Sequence, residues 1–279
     1  MDAAYPKIRL IALDLDGTLL NSEKKLTKRN EDALARAAGS GTVIVPTTGR
    51  LFMAMPEAVR SLPFVHYAIL ANGAQVYDIT NDRVIARSEL PLETAIEILR
   101  FMDNYPVVYD CFYNGRAYMS ADAQAHIADY MPDPQYQEMV RKFRTPVPEL
   151  KHWLKEQGGG VQKVQFFVPD ASGRNSLMEE LAARFPQTAV TSAVPNNIEV
   201  NSAGAQKGFA LASLAHALGI DLSQTAAFGD GLNDISMIKA AGVGVAMANS
   251  APQVLEAADI ITSSNDADGV AEMVEKFGC

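Results

Sequence analysis

The sequence predicts an α/β fold, a Rossmann-like parallel-sheet core interrupted by an inserted α+β cap domain. Three observations predict it. Short, continuous apolar runs alternate with helix-patterned segments in both flanks of the chain, the pattern of βαβ units whose sheet is covered on both faces. The runs end in polar or glycine-containing clusters, and open α/β sheets place their sites at the carboxyl ends of strands. Between the flanks the pattern changes to hairpin signals and scattered helices, with no internal repeat.

The elements follow in order. Ile8 to Leu13, bounded by Asp14 and Gly17, is predicted as a buried strand. A helix begins after Thr27, which can cap it, and turns Leu34, Ala37 and Ala38 inward. Thr42 to Val45 is a second strand, ending at Thr47-Thr48-Gly49-Arg50; Tyr67 to Leu70 is a third, ending at Asn72-Gly73. Ala74 to Asp78 and Val84 to Arg87 form a small hairpin.

The insert is predicted over residues 88–190, leaving 1–87 and 191–279 as the core. It contains a helix carrying Leu92, Ala95, Ile96, Leu99 and Met102. Val107 to Tyr113 and Arg116 to Met119 flank Asn114-Gly115, a strong hairpin signal. A proline-rich stretch from Pro132 to Pro148 with a short helical run comes next, then a break at Gly158-Gly159-Gly160, a strand at Val164 to Val168 and a helix at Leu177 to Phe185. In the second flank, Ile198 to Val200 is assigned to a core strand. After it come a helix from Lys207 to Leu218, a strand at Thr225 to Phe228, a helix with Ile235, Met237 and Ile238, and strands at Val243 to Ala246 and Ile260 to Ile261.

Composition narrows the function. The 279 residues are 48% hydrophobic, enough for a large core. A net charge of −9 argues against nucleic acid or an anionic membrane as the main partner. Cys111 and Cys279 form no Cys-x-x-Cys pair, which excludes a disulfide framework or a cysteine zinc site. His66, His126, His152 and His216 share no ligand spacing. No apolar run reaches the ~18 residues of a spanning helix. The N-terminal stretch with Asp2, Lys7, Arg9 and Asp14 has no secretory pattern, so a cytoplasmic location is expected.

Four polar clusters carry the candidate chemistry. In Asp14-Leu15-Asp16-Gly17-Thr18 the two carboxylates sit at i and i+2 of an extended segment and project to one side. One can serve as nucleophile and the other as general acid/base; a turn with two solvated acids fits equally. Thr48-Gly49-Arg50 offers a hydroxyl and a free N–H to a phosphate oxygen, or caps an ordinary helix. Lys207 opens a helix against the usual preference for acids there, which suggests an anion to balance, although single lysines are usually solvated. Gly229-Asp230-Gly231-Leu232-Asn233-Asp234 places two acids within one turn after a buried strand. Oxygen ligands alone, and few of them, point to Mg²⁺ rather than zinc; helix capping is the competing account. No Walker loop and no Gly-x-Ser-x-Gly elbow occurs.

Taken together, Asp14-x-Asp16-Gly-Thr, Thr48-Gly-Arg, Lys207-Gly and Gly-Asp230-Gly-x-Asn-Asp234 resemble the haloacid dehalogenase-like hydrolase superfamily. Asn72-Gly73-Ala74 and the position of the insert are similar to its Cof-type phosphatase branch. The resemblance covers both flanks by motif and the middle by position, length and element order. It implies a Mg²⁺-dependent phosphatase with an aspartyl-phosphate intermediate. Asp14 is then the nucleophile, and Asp16 the group that protonates the leaving oxygen and later deprotonates water. Thr48, Gly49 and Lys207 hold the phosphoryl group, Asn72 and Gly73 border its pocket, and Asn233 supports the shell. Asp14, the carbonyl of Asp16, Asp230 and Asp234 hold the metal, Asp234 directly or through water.

The expected partner is a small phosphate ester, sugar phosphates foremost, with pyridoxal phosphate and flavin mononucleotide as alternatives. A phosphomutase and a non-catalytic phosphate-sensing protein are the competing classes. A monomer or weak homo-oligomer is expected, with the insert hinged near Ser88 and Ala193 and closing over the site. Within the insert, Tyr113, Asn114 and Arg116 are candidates for leaving-group contacts, but read more simply as turn and sheet residues.

Overall fold

A computed structural model describes residues 6–131, 133–192 and 196–278. The expected features at Pro132, Ala193 and Cys279 lie outside them. By internal contacts the chain divides into two compact units, one formed by Met1–Arg87 with Gln206–Cys279, the other by Ser88–Ala205.

The first unit opens with β1 (Leu10–Leu13), α1 (Lys28–Gly39), β2 (Val43–Pro46), α2 (Glu57–Arg60), β3 (Tyr67–Leu70), β4 (Gln75–Asp78) and β5 (Arg83–Arg87). The second contains α3 (Leu92–Met102), β6 (Val108–Tyr113), β7 (Arg116–Ser120), α4 (Ala121–Ala125), α5 (Pro134–Phe143), β8 (Arg144–Val147), α6 (Leu150–Gln157), β9 (Lys163–Phe167), α7 (Arg174–Arg184), β10 (Thr188–Thr191) and β11 (Asn197–Ser202). The first resumes with α8 (Lys207–Ala217), β12 (Thr225–Gly229), α9 (Ile235–Ala240), β13 (Val243–Met247), α10 (Pro252–Ala257), β14 (Ile260–Thr262) and α11 (Gly269–Phe277).

In the first unit the strands β14-β13-β12-β1-β2 run parallel in that order. Alternate residues of β1 serve two cores. Ile11 and Leu13 pack with Ala33, Leu34, Val270 and Val274 of α1 and α11. Leu10 and Ala12 pack with Leu211 and Leu214 of α8. A strand buried on both faces cannot alternate with polar residues, which is why β1 reads as a continuous apolar run. Thr27 caps α1 as expected, its hydroxyl accepting the Asn30 N–H. β3 touches the parallel sheet by one bridge, Thr47 to Ile69, and its main partner is antiparallel β4.

The second unit carries a sheet in the order β10-β11-β9-β6-β7-β8. Its pairs are antiparallel except β7 with β8. Asn114 and Gly115 take positive φ values of 48° and 76°, completing the expected hairpin turn. One sheet face, with Cys111, Val164, Phe166, Ile198 and Val200, packs on α3, α6 and α7. The register puts Asp110, Lys163 and Glu199 on the other face. They are buried as ion pairs, Lys163 with Glu199 at 2.7 Å and Asp110 with Arg144 at 2.8 Å.

One strand departs from the sequence reading. Ile198 to Val200 belongs to β11, which pairs antiparallel with β9 and β10 rather than entering the parallel sheet. The second unit therefore continues to Ala205, not to residue 190. The cause is visible in Asn197-Ile-Glu-Val-Asn201, whose alternation suits a strand with one apolar and one polar face. The short β8 and β10, and the helices α4, α6, α10 and α11, add to the predicted set. Among the described residues no helix is long and apolar enough to cross a membrane.

Candidate active site

The carboxyl ends of β1, β2 and β12 point to one region because these strands are parallel neighbours. Asp14 follows β1, and its N–H donates to the Phe228 carbonyl of β12 at 3.0 Å. Asp230 and Asp234 follow β12. Lys207, the first residue of α8, is fully buried; its Nζ donates to Asp14 Oδ1 at 2.6 Å and to Asp234 Oδ1 at 2.5 Å. The lysine that looked misplaced at a helix start is thus a buried bridge between two carboxylates.

Asp234 is fully engaged. Its second oxygen accepts the backbone N–H groups of Asp230 at 3.0 Å and Gly231 at 2.9 Å. Asp230 is steadied by the buried Thr18 hydroxyl, which donates to its Oδ1 at 2.8 Å. Gly17, at φ 90°, lies against the same carboxylate: a Cβ there would stand 2.3 Å from Asp230 Oδ2. Only a glycine allows that approach and that conformation together.

Asp14, Asp230 and Asp234 each offer an oxygen, and these oxygens lie within 4.8 Å of one another. Burial raises Asp14 to about 8, with Lys207 pulling it down and Asp234 pushing it up. Burial also raises Asp230 to about 6, against the Thr18 hydrogen bond. Burial opposes the charge on Lys207, but Asp14 and Asp234 outweigh it and raise that group. With all three carboxylates ionised, one ammonium would leave two negative charges in a desolvated site. An oxygen-only set with that charge fits a small divalent cation.

Asp16 stands apart from this cluster. Its carboxylate takes a two-pronged contact from Arg50, Nε at 2.9 Å and Nη2 at 2.8 Å, and a third from Lys24 Nζ at 3.1 Å. Burial works against ionisation, but Arg50 and Lys24 prevail and hold its pKa below the usual carboxylate value. Arg50, two positions past Thr48, is thus the partner of Asp16.

The remaining predicted residues gather around Asn72. Asn72 is buried with φ 60°, and its Oδ1 accepts from Asn233 Nδ2 at 3.2 Å. Gly49 abuts it, since a Cβ at Gly49 would lie 2.8 Å from the same oxygen. Gly73, at φ 99°, packs on the Gln206 carbonyl just before Lys207. Thr48 is buried, and its hydroxyl accepts the Arg50 N–H at 3.2 Å. Two supporting residues were not singled out from sequence: Thr18, which lay inside a quoted motif, and Asn249, which donates to the Gly17 carbonyl at 2.8 Å.

A parallel α/β sheet that collects three carboxylates and a buried lysine beyond its strand ends defines a class of α/β protein with an acidic, cation-suited site at the carboxyl ends of its strands. Over residues 11–274 the chain matches the haloacid dehalogenase-like hydrolases, and it belongs to that family. It is 33% identical to the 5-amino-6-(5-phospho-D-ribitylamino)uracil phosphatase YcsE of Bacillus subtilis, over 97% of this chain and 96% of that one. It is 28% identical to the pyridoxal phosphate phosphatase YbhA of Escherichia coli, over 95% and 97%. A crystal structure of a haloacid dehalogenase-like hydrolase from Bacteroides thetaiotaomicron superposes with a TM-score of 0.80 at 29% identity, covering 97% of this chain and 99% of that one. The protein is a phosphatase of the Cof-type branch.

Proposed function

We propose that the protein hydrolyses phosphate monoesters of small polyhydroxylated metabolites, sugar phosphates foremost, through a phospho-enzyme on Asp14. The observation that carries this reading is the buried Lys207 bridge beside three converging carboxylates. Asp14, Asp230 and the Asp16 carbonyl would hold Mg²⁺, with Asp234, its oxygens already taken, supporting the shell. When bound, the ion offsets the repulsion between a carboxylate and a phosphate dianion. Lys207 adds positive charge next to the nucleophile, and Thr48, Gly49, Asn72 and Gly73 border the phosphoryl oxygens.

In the first half-reaction an oxygen of Asp14 bonds to phosphorus as the ester P–O bond breaks, and Asp16 gives its proton to the departing oxygen. In the second, water attacks the phosphorus of the acyl phosphate. Its proton passes to Asp16, and Asp14 leaves as carboxylate. Splitting the reaction in this way lowers each barrier. The pairing with Arg50 and Lys24 suits the second half, because it favours the ionised form that accepts a proton. The first half requires these pairs to loosen when a substrate arrives.

The substrate class follows the relatives in part: YcsE is a phosphatase for a phosphoribityl compound, a sugar-alcohol phosphate, and YbhA one for pyridoxal phosphate. The test is phosphate release from sugar phosphates, sugar-alcohol phosphates, pyridoxal phosphate, flavin mononucleotide and p-nitrophenyl phosphate. Each is run with Mg²⁺ and with EDTA, for the native protein and Asp14→Asn. Mg²⁺-dependent turnover, highest on the polyhydroxylated esters and lost in Asp14→Asn, is expected. Turnover that survives Asp14→Asn overturns the nucleophile. Isomerised sugar phosphate without free phosphate identifies a mutase.

A further inference from the structure

The segment that follows β13 grips both loops carrying the candidate cation ligands. Asn249 Nδ2 donates to the Gly17 carbonyl at 2.8 Å, in the loop after Asp14. Asn249 Oδ1 accepts the Asn265 N–H at 3.0 Å, and the buried Asn265 side chain donates to the Leu20 carbonyl of that same loop at 2.9 Å. The next two residues hold the other loop. Ser250 Oγ donates to the Gly229 carbonyl at 3.3 Å, and the Ala251 N–H to the Asp230 carbonyl at 3.2 Å. One short stretch of chain therefore fastens the loop of Asp14 to the loop of Asp230.

The fastening point matters because Gly17 abuts the other loop. Its α-carbon lies against the Asp230 carboxylate, and the next residue, Thr18, hydrogen-bonds the same group. A shift of the Gly17 peptide moves Asp230 relative to Asp14. Asn249 is itself exposed and touches no carboxylate of the cluster through the contacts above. From this geometry we infer that Asn249 is a positioning residue for the cation, setting the gap between Asp14 and Asp230. The inference rests on the reading of those two residues as cation ligands.

Partners one step behind metal ligands commonly change affinity by about 10–100-fold when removed. The test is Mn²⁺ binding without substrate, read by the loss of the free-ion electron paramagnetic resonance signal, for the native protein, Asn249→Ala and Asn249→Asp. Both variants are expected to bind Mn²⁺ at least about tenfold more weakly, with the thermal midpoint of the metal-free protein unchanged. Asn249→Asp carries a sign test. It keeps an acceptor for Asn265 but loses the donor to Gly17. A role through charge alone would tighten cation binding, whereas a positioning role weakens it. It also carries the test if the alanine variant does not fold. Native-like Mn²⁺ affinity in both variants, or tighter binding in Asn249→Asp, overturns the inference. If the native protein binds no Mn²⁺, the cation reading beneath it falls instead.

Discussion

Replacing Lys207 by methionine removes the cation from between Asp14 and Asp234 while keeping a side chain of similar length. At 2.6 and 2.5 Å, each contact represents ~6 kcal/mol of Coulomb attraction at an effective dielectric constant of 20. Most of that is offset by the desolvation of all three groups, and breaking a buried pair costs about 3–5 kcal/mol in practice. The loss has a pH signature. Without the ammonium, Asp14 is raised further above its unfolded value, so keeping it ionised becomes more costly as pH rises. The destabilisation of Lys207→Met relative to the native protein should therefore grow above about pH 8, where Asp14 ionises in the native protein but not yet in the variant. Urea unfolding in EDTA, followed by far-ultraviolet circular dichroism, measures it. The single tryptophan, Trp153, lies in the second unit and gives an internal control by fluorescence. A loss below about 1 kcal/mol, the scale of an exposed pair, or one independent of pH, would refute the argument that Lys207 neutralises a desolvated acidic cluster.

Three further outcomes are expected. Asp14 and Asp230 are raised to about 8 and about 6, above their unfolded values near 4. The native state thus binds more protons than the unfolded one across that window, so the metal-free protein should lose thermal stability as pH rises from about 4 to 8. Mg²⁺ should restore more at the upper end; a midpoint flat with pH in EDTA would contradict this. Gly17→Ala must adopt φ 90° and push its Cβ into the Asp230 carboxylate. Calorimetry should show Mn²⁺ binding abolished or weakened at least about tenfold, with about 1–3 kcal/mol of strain in unfolding. In the second unit, Arg144→Met leaves the buried Asp110 carboxylate without its cation. Trp153 fluorescence in urea should show a loss of about 3–5 kcal/mol, largely recovered by Asp110→Leu/Arg144→Met; no recovery would mean that packing, not charge, holds the pair.

The fold class and the residues of the candidate site were both legible, for a physical reason. Lys207 opens a helix where acids are preferred, and Asp14 and Asp230 end unbroken apolar strands, so each marks a strand or helix boundary in the sequence. Their conjunction could be read before any contact was known. Arg50 was not legible, because its pairing with Asp16 depends on two loops meeting after strands β1 and β2. β11 was misassigned although its alternation was present: Ile198 and Val200 are apolar while Asn197, Glu199 and Asn201 are polar and also buried. β8 hides behind Pro146, which a sheet tolerates here because β8 is an edge strand.

Ser88 and Gly204 lie side by side at the two ends of the second unit, a Cβ at Gly204 falling 2.8 Å from Ser88 Oγ. During synthesis this gives the chain an order of events. β1 leaves the ribosome roughly two hundred residues before β12, its partner in the finished sheet, a delay of roughly 10–40 s at ordinary translation rates. In that interval the intervening segment is contiguous and has its own core, so it can fold and bring its two ends together. The gap left to close then behaves as a much shorter loop, with a correspondingly smaller entropic penalty. Until it closes, β1 can pair with β2 but lacks β12 on its other side, an open apolar edge of the kind that recruits neighbouring chains. The interval in which this protein is open to misassembly is governed by the pace of elongation, not by the stability of the completed molecule.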